Sequence, residues 1–289
     1  MGKLTSLPGN SSANIELHQM NDGVQVVKKS CRGAAGKRLV LQIEKQKSFQ
    51  NSNTLRTPQV FNVIQLEDRT DVLMEYVRGS DFVSYTNCAS FDEFSKTIEI
   101  LTRFVKKEFE SSKMTKFPVE VWKSKIEQVL LCSQEKQIFK ENEQECIASF
   151  LLDSLPSEIL QGTCHGDFTF SNVIVERYDK LCLFDFLDPP IETPYEDLAK
   201  FLQDAQFFWS LLKYTSSCDK TRVMIYWEFA ARYIKNELSD LCNHELLRKF
   251  QVLGLLRILP YTSDAFVIKY LRSNILCEVM RDISPTMRR

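Results

Sequence analysis

The sequence predicts an α+β protein of two lobes, and three observations carry that prediction. Turn signals and strand-like alternation dominate to about residue 78, helical periodicity dominates from residue 91, and a β-like stretch at 161–188 interrupts the helices. At 289 residues, 44% hydrophobic and 26% charged, the chain fits a soluble globular protein of one large or two modest domains. The expected division is a small β-rich lobe over 1–78 and a larger, mainly helical one over 79–289.

Taken in order, residues 14–18 and 24–27 read as paired strands joined at the turn signal Asn21-Asp22-Gly23. Residues 37–50 set Leu39, Ile43 and Phe49 among charges, the pattern of an amphipathic helix. Two further strands are expected over 58–64 and 71–77, and Gly79-Ser80-Asp81 breaks the pattern. Phe91, Phe94, Ile98, Leu101, Val105 and Phe109 then recur every three or four residues with Lys and Glu opposite them, which predicts a helix. Four more helical regions are expected over 119–152, 194–214, 219–239 and 244–281.

Bulk properties exclude several classes. With 37 basic and 38 acidic residues there is no global field, which argues against a nucleic-acid or membrane-surface protein. The nine cysteines are scattered without a C-x-x-C pair, so reduced thiols and a cytoplasmic location are expected. The three histidines stand apart from cysteine pairs, so no zinc-type cluster is expected. No secretion signal is read at the N-terminus, and the apolar run VLGLLRILPY is short and holds Arg257.

The chemistry is concentrated in residues 165–188, HGDFTFSNVIVERYDKLCLFDFLD. Asp167 is followed five positions later by Asn172, and Asp185 comes thirteen positions after that. An acid, an amide and a second acid at this spacing match the base and metal-binding residues of kinase-type phosphoryl transfer. Asp167 is then the base, and Asn172 and Asp185 are oxygen ligands for Mg²⁺. Alone, each is an ordinary turn acid, cap or strand-end acid. What makes them a set is His165-Gly166 before the first and a hairpin, turning at Tyr178-Asp179-Lys180, that brings Asn172 and Asp185 to one end.

The segments CHGDFTFSNVIV, LCLFDF and YEDLAKFL resemble the aminoglycoside phosphotransferase and choline kinase family. The resemblance implies a two-lobed protein-kinase-like fold, with Asp167 as base and Asn172 and Asp185 as metal ligands. It also implies that Asp197 is a buried acid bracing the loop that His165 opens. One departure stands out: Phe186, Leu187 and Asp188 follow the metal acid where many relatives carry a glycine. Asp188 is read either as an extra metal or substrate ligand or as a loop acid in water.

The first lobe must supply a phosphate-cradling loop, a lysine and an acidic partner. Gly9-Asn10-Ser11-Ser12 is the candidate loop, with Ser11 and Ser12 at the phosphates. Lys28 and Lys29 lie on opposite faces of a strand, so one alone faces the cleft, and Lys29 is preferred. Glu44 on the following helix is its expected partner, with Gln42 the rival position. Backbone groups of Glu75 and Val77 are expected to meet the nucleotide base at the hinge.

The donor is expected to be MgATP or another nucleoside triphosphate, and the acceptor a sugar or amino-alcohol hydroxyl. Asp188 and Glu192, directly after the metal acid, are the acceptor-binding candidates, whereas Phe207, Phe208, Trp209 and Trp227 are read mostly as helix core. The alternative is a catalytically silent nucleotide-binding scaffold of the same fold. Retention of the base and both metal ligands weighs against it.

Overall fold

The turn at Asn21–Gly23 closes as its composition requires. Gly23 takes φ 88°, its N–H donates to the Met20 carbonyl at 3.0 Å, and the Met20 N–H donates to the Val24 carbonyl at 2.8 Å. It joins β2 (Asn14–Gln19) to β3 (Gln25–Arg32) in antiparallel register. In this computed structural model, which describes residues 2–6 and 13–281, they belong to a five-stranded antiparallel sheet. Its order is β1-β2-β3-β6-β5, with β1 over Gly2–Ser6, β5 over Val60–Gln65 and β6 over Arg69–Glu75.

Helix α1 (Gly33–Ser48) follows β3 directly, four residues ahead of its expected start, and Gly33 at φ 54° makes the turn into it. Leu39 and Ile43 come from its apolar stripe and pack with Cys31, Val72 and Met74 of the sheet into a small core.

A second sheet has the order β4-β11-β10-β7. Strands β10 (Val173–Arg177) and β11 (Lys180–Leu183) form the expected hairpin. Its outer neighbours are two-residue strands from far earlier in the chain: β4 (Leu55–Arg56), parallel to β11, and β7 (Ser80–Asp81), antiparallel to β10. Neither short strand carries enough alternation to be read from sequence. Gly79 allows the approach of β7, since a Cβ there would meet Ile174 Cγ2 at 2.5 Å and the Val175 carbonyl oxygen at 2.6 Å. Asp81 caps α2 (Phe82–Cys88), whose Phe82 stacks on Phe170 at 4.1 Å. On α3 (Phe91–Ser111), the Thr97 hydroxyl donates to the Tyr178 carbonyl at the hairpin tip at 2.8 Å.

The residues therefore group into two compact units, Met1–Ile100 with Phe170–Asp188, and Leu101–Thr169 with Pro189–Arg289. This differs from a division at residue 78, because strand pairing draws the hairpin into the unit of the N-terminal chain.

The second unit is helical apart from a ribbon of β8 (Lys113–Lys116) and β9 (Glu158–Gln161). Its helices are α4 (Val119–Glu135), α5 (Glu141–Leu152), α6 (Pro194–Phe207), α7 (Trp209–Leu212), α8 (Lys220–Leu238), α9 (His244–Leu256) and α10 (Ala265–Val279). Three expected helical regions are each split. Gln137 takes φ 53° between α4 and α5, Phe208 takes φ 50° between α6 and α7, and a turn over Leu259–Tyr261 with Pro260 separates α9 from α10. A left-handed residue ends a helix and a proline cannot continue one. Helix α6 is buried almost all round, so its acids lie inside the unit. Among the described residues no helix is long and apolar enough to cross a membrane.

Candidate active site

In the strand-rich unit the hairpin aligns the two expected metal ligands. Val173 pairs with Leu183, and the Phe184 N–H donates to the Asn172 carbonyl at 3.2 Å, so Asp185 follows one residue beyond. Asp185 takes φ 66°, a left-handed conformation that aspartate tolerates better than most residues. Its carboxylate accepts the Lys29 ammonium. Phe186, the residue after Asp185, is buried with its ring 5.7 Å from that of Phe49. The Lys45 ammonium donates to the Leu187 carbonyl at 2.8 Å. Together these anchor the chain just after Asp185. Asp188 is exposed.

The two candidate lysines diverge as alternation along a strand requires. Lys29 reaches Asp185, whereas Lys28 pairs with buried Asp71 at 3.0 Å. Burial works against the Asp71 charge, yet hydrogen bonds from Ser30 and Lys28 hold its carboxyl below the usual range.

The expected pairing of Lys29 with Glu44 is corrected here. Leu39, Ile43 and Gln46 form the inner stripe of α1, which turns Glu44 outward to an exposed position, while Gln46 donates to the Pro58 carbonyl at 3.0 Å. Gln42 is half-buried. The Glu75 N–H donates to the Gln59 carbonyl at 2.8 Å. Its carboxylate takes a two-bond fork from Arg56, which makes a second fork to Glu176. Val77 is buried just beyond β6. Ser11 and Ser12 lie outside the described residues.

In the helical unit the loop bearing Asp167 is held from α6. Asp197, fully buried, accepts the backbone N–H of His165 and that of Gly166, the latter at 2.7 Å. The Asp167 N–H donates to His165 Nδ1 at 3.2 Å, which leaves that ring's proton on Nε2. Phe168 packs between Phe104 and Phe201, with ring centroids 5.0 and 5.1 Å away.

Two residues here escaped sequence reading. Glu108, buried on α3, hydrogen-bonds to the Asp197 carboxyl. Burial pushes Asp197 up to about 7, against the hydrogen bonds from Glu108, His165 and Gly166. Two carboxyls in contact inside a protein share a proton rather than both ionise. Lys200, one turn beyond Asp197 on α6, places its ammonium 3.2 Å from Asp167 Oδ1. Its only sequence signal is a lysine within YEDLAKFL, and surface lysines on helices are commonplace.

The acceptor candidates separate by burial. The Glu192 carbonyl accepts the Gly162 N–H at 3.2 Å while the residue is exposed. Phe207 and Trp227 are core, as expected, but Phe208 and Trp209 are only half-buried.

The donor set suits a hard cation. Among the described residues no group of three or more His, Cys, Asp or Glu is gathered to hold a metal by itself. Asp185 and Asn172 supply two oxygen donors, and Mg²⁺ is ordinarily held by one or two carboxylates with phosphates and water completing its shell.

A β-rich unit bearing a lysine–aspartate pair, with a helical unit that braces a His-Gly-Asp loop, defines a kinase-like α+β protein. The chain belongs to the APH phosphotransferase enzyme family, whose model matches residues 23–213. Solved structures agree in fold. A thermostable mutant of aminoglycoside phosphotransferase APH(4)-Ia, in ternary complex with AMP-PNP and hygromycin B, is 13% identical with a TM-score of 0.63, covering 96% of this chain and 93% of its own. The choline kinase LicA from Streptococcus pneumoniae is 15% identical, TM-score 0.58, with 97% and 95% covered. Aminoglycoside phosphotransferase APH(3'')-Id from Streptomyces rimosus is 16% identical, TM-score 0.56, with 89% and 93% covered. At such identities the likeness speaks for the fold alone. No curated protein sequence matches the chain.

Proposed function

We propose that this phosphotransferase moves the γ-phosphoryl group of a nucleoside triphosphate, MgATP in the first instance, to a hydroxyl of a sugar or amino alcohol. The observation that carries the reading is the pairing of Lys29 with Asp185 on a hairpin that aligns Asn172, in a chain that keeps Asp167. Asp167 takes the proton of the attacking hydroxyl as the bond to the leaving nucleoside diphosphate breaks. Asn172 and Asp185 would hold Mg²⁺, which would supply charge neutralisation for the transferring phosphoryl group. Lys29 holds the nucleotide phosphates, and the Glu75 carbonyl and Val77 backbone meet the base. Ser11 and Ser12 keep their candidacy at the phosphates, and Asp188 and Glu192 theirs at the acceptor.

Neighbouring structures support a nucleotide donor and a small acceptor: one holds AMP-PNP with hygromycin B, and another is a choline kinase. All nine cysteines are free thiols, which supports the reducing cytoplasm as the place of action.

The test is Mg²⁺-dependent nucleotide consumption over sugars, amino alcohols and aminoglycosides, alongside direct MgATP binding. At least one acceptor should stimulate turnover, and Lys29→Met should abolish MgATP binding while Lys28→Met keeps it. No stimulation together with no MgATP binding would sink the kinase reading and favour a silent scaffold.

A further inference from the structure

Helix α6 grips the Asp167 loop at successive residues through one face. Asp197, Lys200 and Phe201 stand at i, i+3 and i+4, a spacing that sets them side by side on a helix. Asp197 takes the backbone N–H groups of His165 and Gly166, and the Phe201 ring lies 5.1 Å from that of Phe168. Lys200 takes the residue between them, with its ammonium 3.2 Å from Asp167 Oδ1. The first two contacts hold backbone and packing. That of Lys200 is of another kind, because it reaches the carboxylate itself.

A lysine on a helix surface ordinarily keeps its ammonium in water. The Lys200 side chain is only 11% exposed, and it rises from a helix buried almost all round, between buried Ala199 and Phe201. Placing an ammonium there costs desolvation, which a partner of opposite charge at this distance offsets. Asp167 is the more open of the pair, its side chain 27% exposed. The lysine thus holds from within the unit a carboxylate that solvent still reaches.

The consequence is orientation. An aspartate side chain turns about two bonds, and a reacting hydroxyl meets it productively over a narrow range of those angles. Catalysis of phosphoryl transfer is mostly positioning and electrostatics, so the angle at which the base presents itself matters greatly.

We infer that Lys200 is a positioning residue for the transfer, holding the Asp167 carboxylate in the orientation that receives the acceptor hydroxyl. The proton passes from the acceptor oxygen to Asp167 while that oxygen bonds to the γ-phosphorus and the bond to the nucleoside diphosphate breaks. The inference rests on the phosphotransfer reading and adds a residue to it.

The test is a double-mutant cycle read in turnover, with the acceptor that best stimulates Mg²⁺-dependent nucleotide consumption by the unmodified chain. Lys200→Met, close to lysine in length but uncharged, should lower kcat about 10–10²-fold. KM for the acceptor and affinity for MgATP should each move by less than about threefold. In an Asp167→Asn background the same change should cost less than about threefold in kcat, because the carboxylate it steers is gone. Lys200→Gln replaces Lys200→Met should melting curves show that the latter does not fold. Undiminished kcat, a change in KM alone, or equal losses of kcat in the two backgrounds would overturn the inference and leave the phosphotransfer reading standing. An unmodified chain that binds no MgATP and turns over no acceptor would remove that reading, and the positioning role with it.

Discussion

The loop carrying Asp167 and the hairpin carrying Asn172 and Asp185 are held by different physics. The loop depends on buried polar groups: one carboxylate, Asp197, satisfies two backbone N–H groups and itself needs the carboxyl of Glu108. The hairpin depends on strand pairing, with β4 and β7 clasping β11 and β10 by backbone hydrogen bonds. Buried charge gives a precise position at the risk of a large loss when one partner goes. Backbone pairing spreads the load, so single side-chain changes there should cost less.

The largest effect is expected at Asp167, the proposed base. Asp167→Asn should lower turnover about 10²–10⁴-fold and leave MgATP binding nearly unchanged, as single-turnover assays and nucleotide titration would report. Loss of both together would mean that loop and hairpin do not act separately. Next comes Asp197→Ala, which strands two buried N–H groups and should cost about 2–5 kcal/mol in urea unfolding. A cost below about 1 kcal/mol would show that Phe168 packing, not Asp197, holds the loop.

On the hairpin side, Gly79→Ala forces a methyl group against Ile174 and Val175 and should cost about 1–3 kcal/mol. If it equals Asp197→Ala, the contrast between the two regions fails. The mildest change is Glu108→Gln, a hydrogen-bond exchange worth about 1 kcal/mol or less near pH 5. Asp197 is raised from the ordinary 3.8 to about 7, so the folded state keeps a proton that the unfolded chain has released. That group's contribution to stability therefore declines as pH rises from about 4 to 7 and levels off above. Glutamine donates to Asp197 without needing that proton, so melting temperatures of Glu108→Gln across this range should decline less steeply. An unchanged slope would show that the carboxyl pair does not share the proton.

Much of this was readable in the sequence because its signals are local. The strand pair at Gly23, the apolar stripe of α3 and the hairpin linking Asn172 to Asp185 all follow from periodicity and turn chemistry. What escaped reading depends on partners distant in the chain. Strands β4 and β7 have two residues each and exist because the hairpin pairs with them. The Lys29 partner was sought on α1 and stands instead at Asp185, because helical phase turns Glu44 outward. Glu108 sits beside an apolar stripe and Lys200 on a helix rich in buried residues, where sequence alone does not tell a buried charge from a solvated one.

The hairpin's clasp also bears on how the molecule is made. Ile174 pairs with Asp81 and Leu181 with Leu55, so these strands wait for residues synthesised after α3, α4 and α5. On a growing chain the strand-rich unit stays open until residues 173–183 have left the ribosome, and such distant pairings are the slow steps of folding. A fragment cut at residue 78 would keep Lys29 and lose Asp185. The lysine and its aspartate thus enter the cell at different times, and the unit that needs both matures only with the second half of the protein.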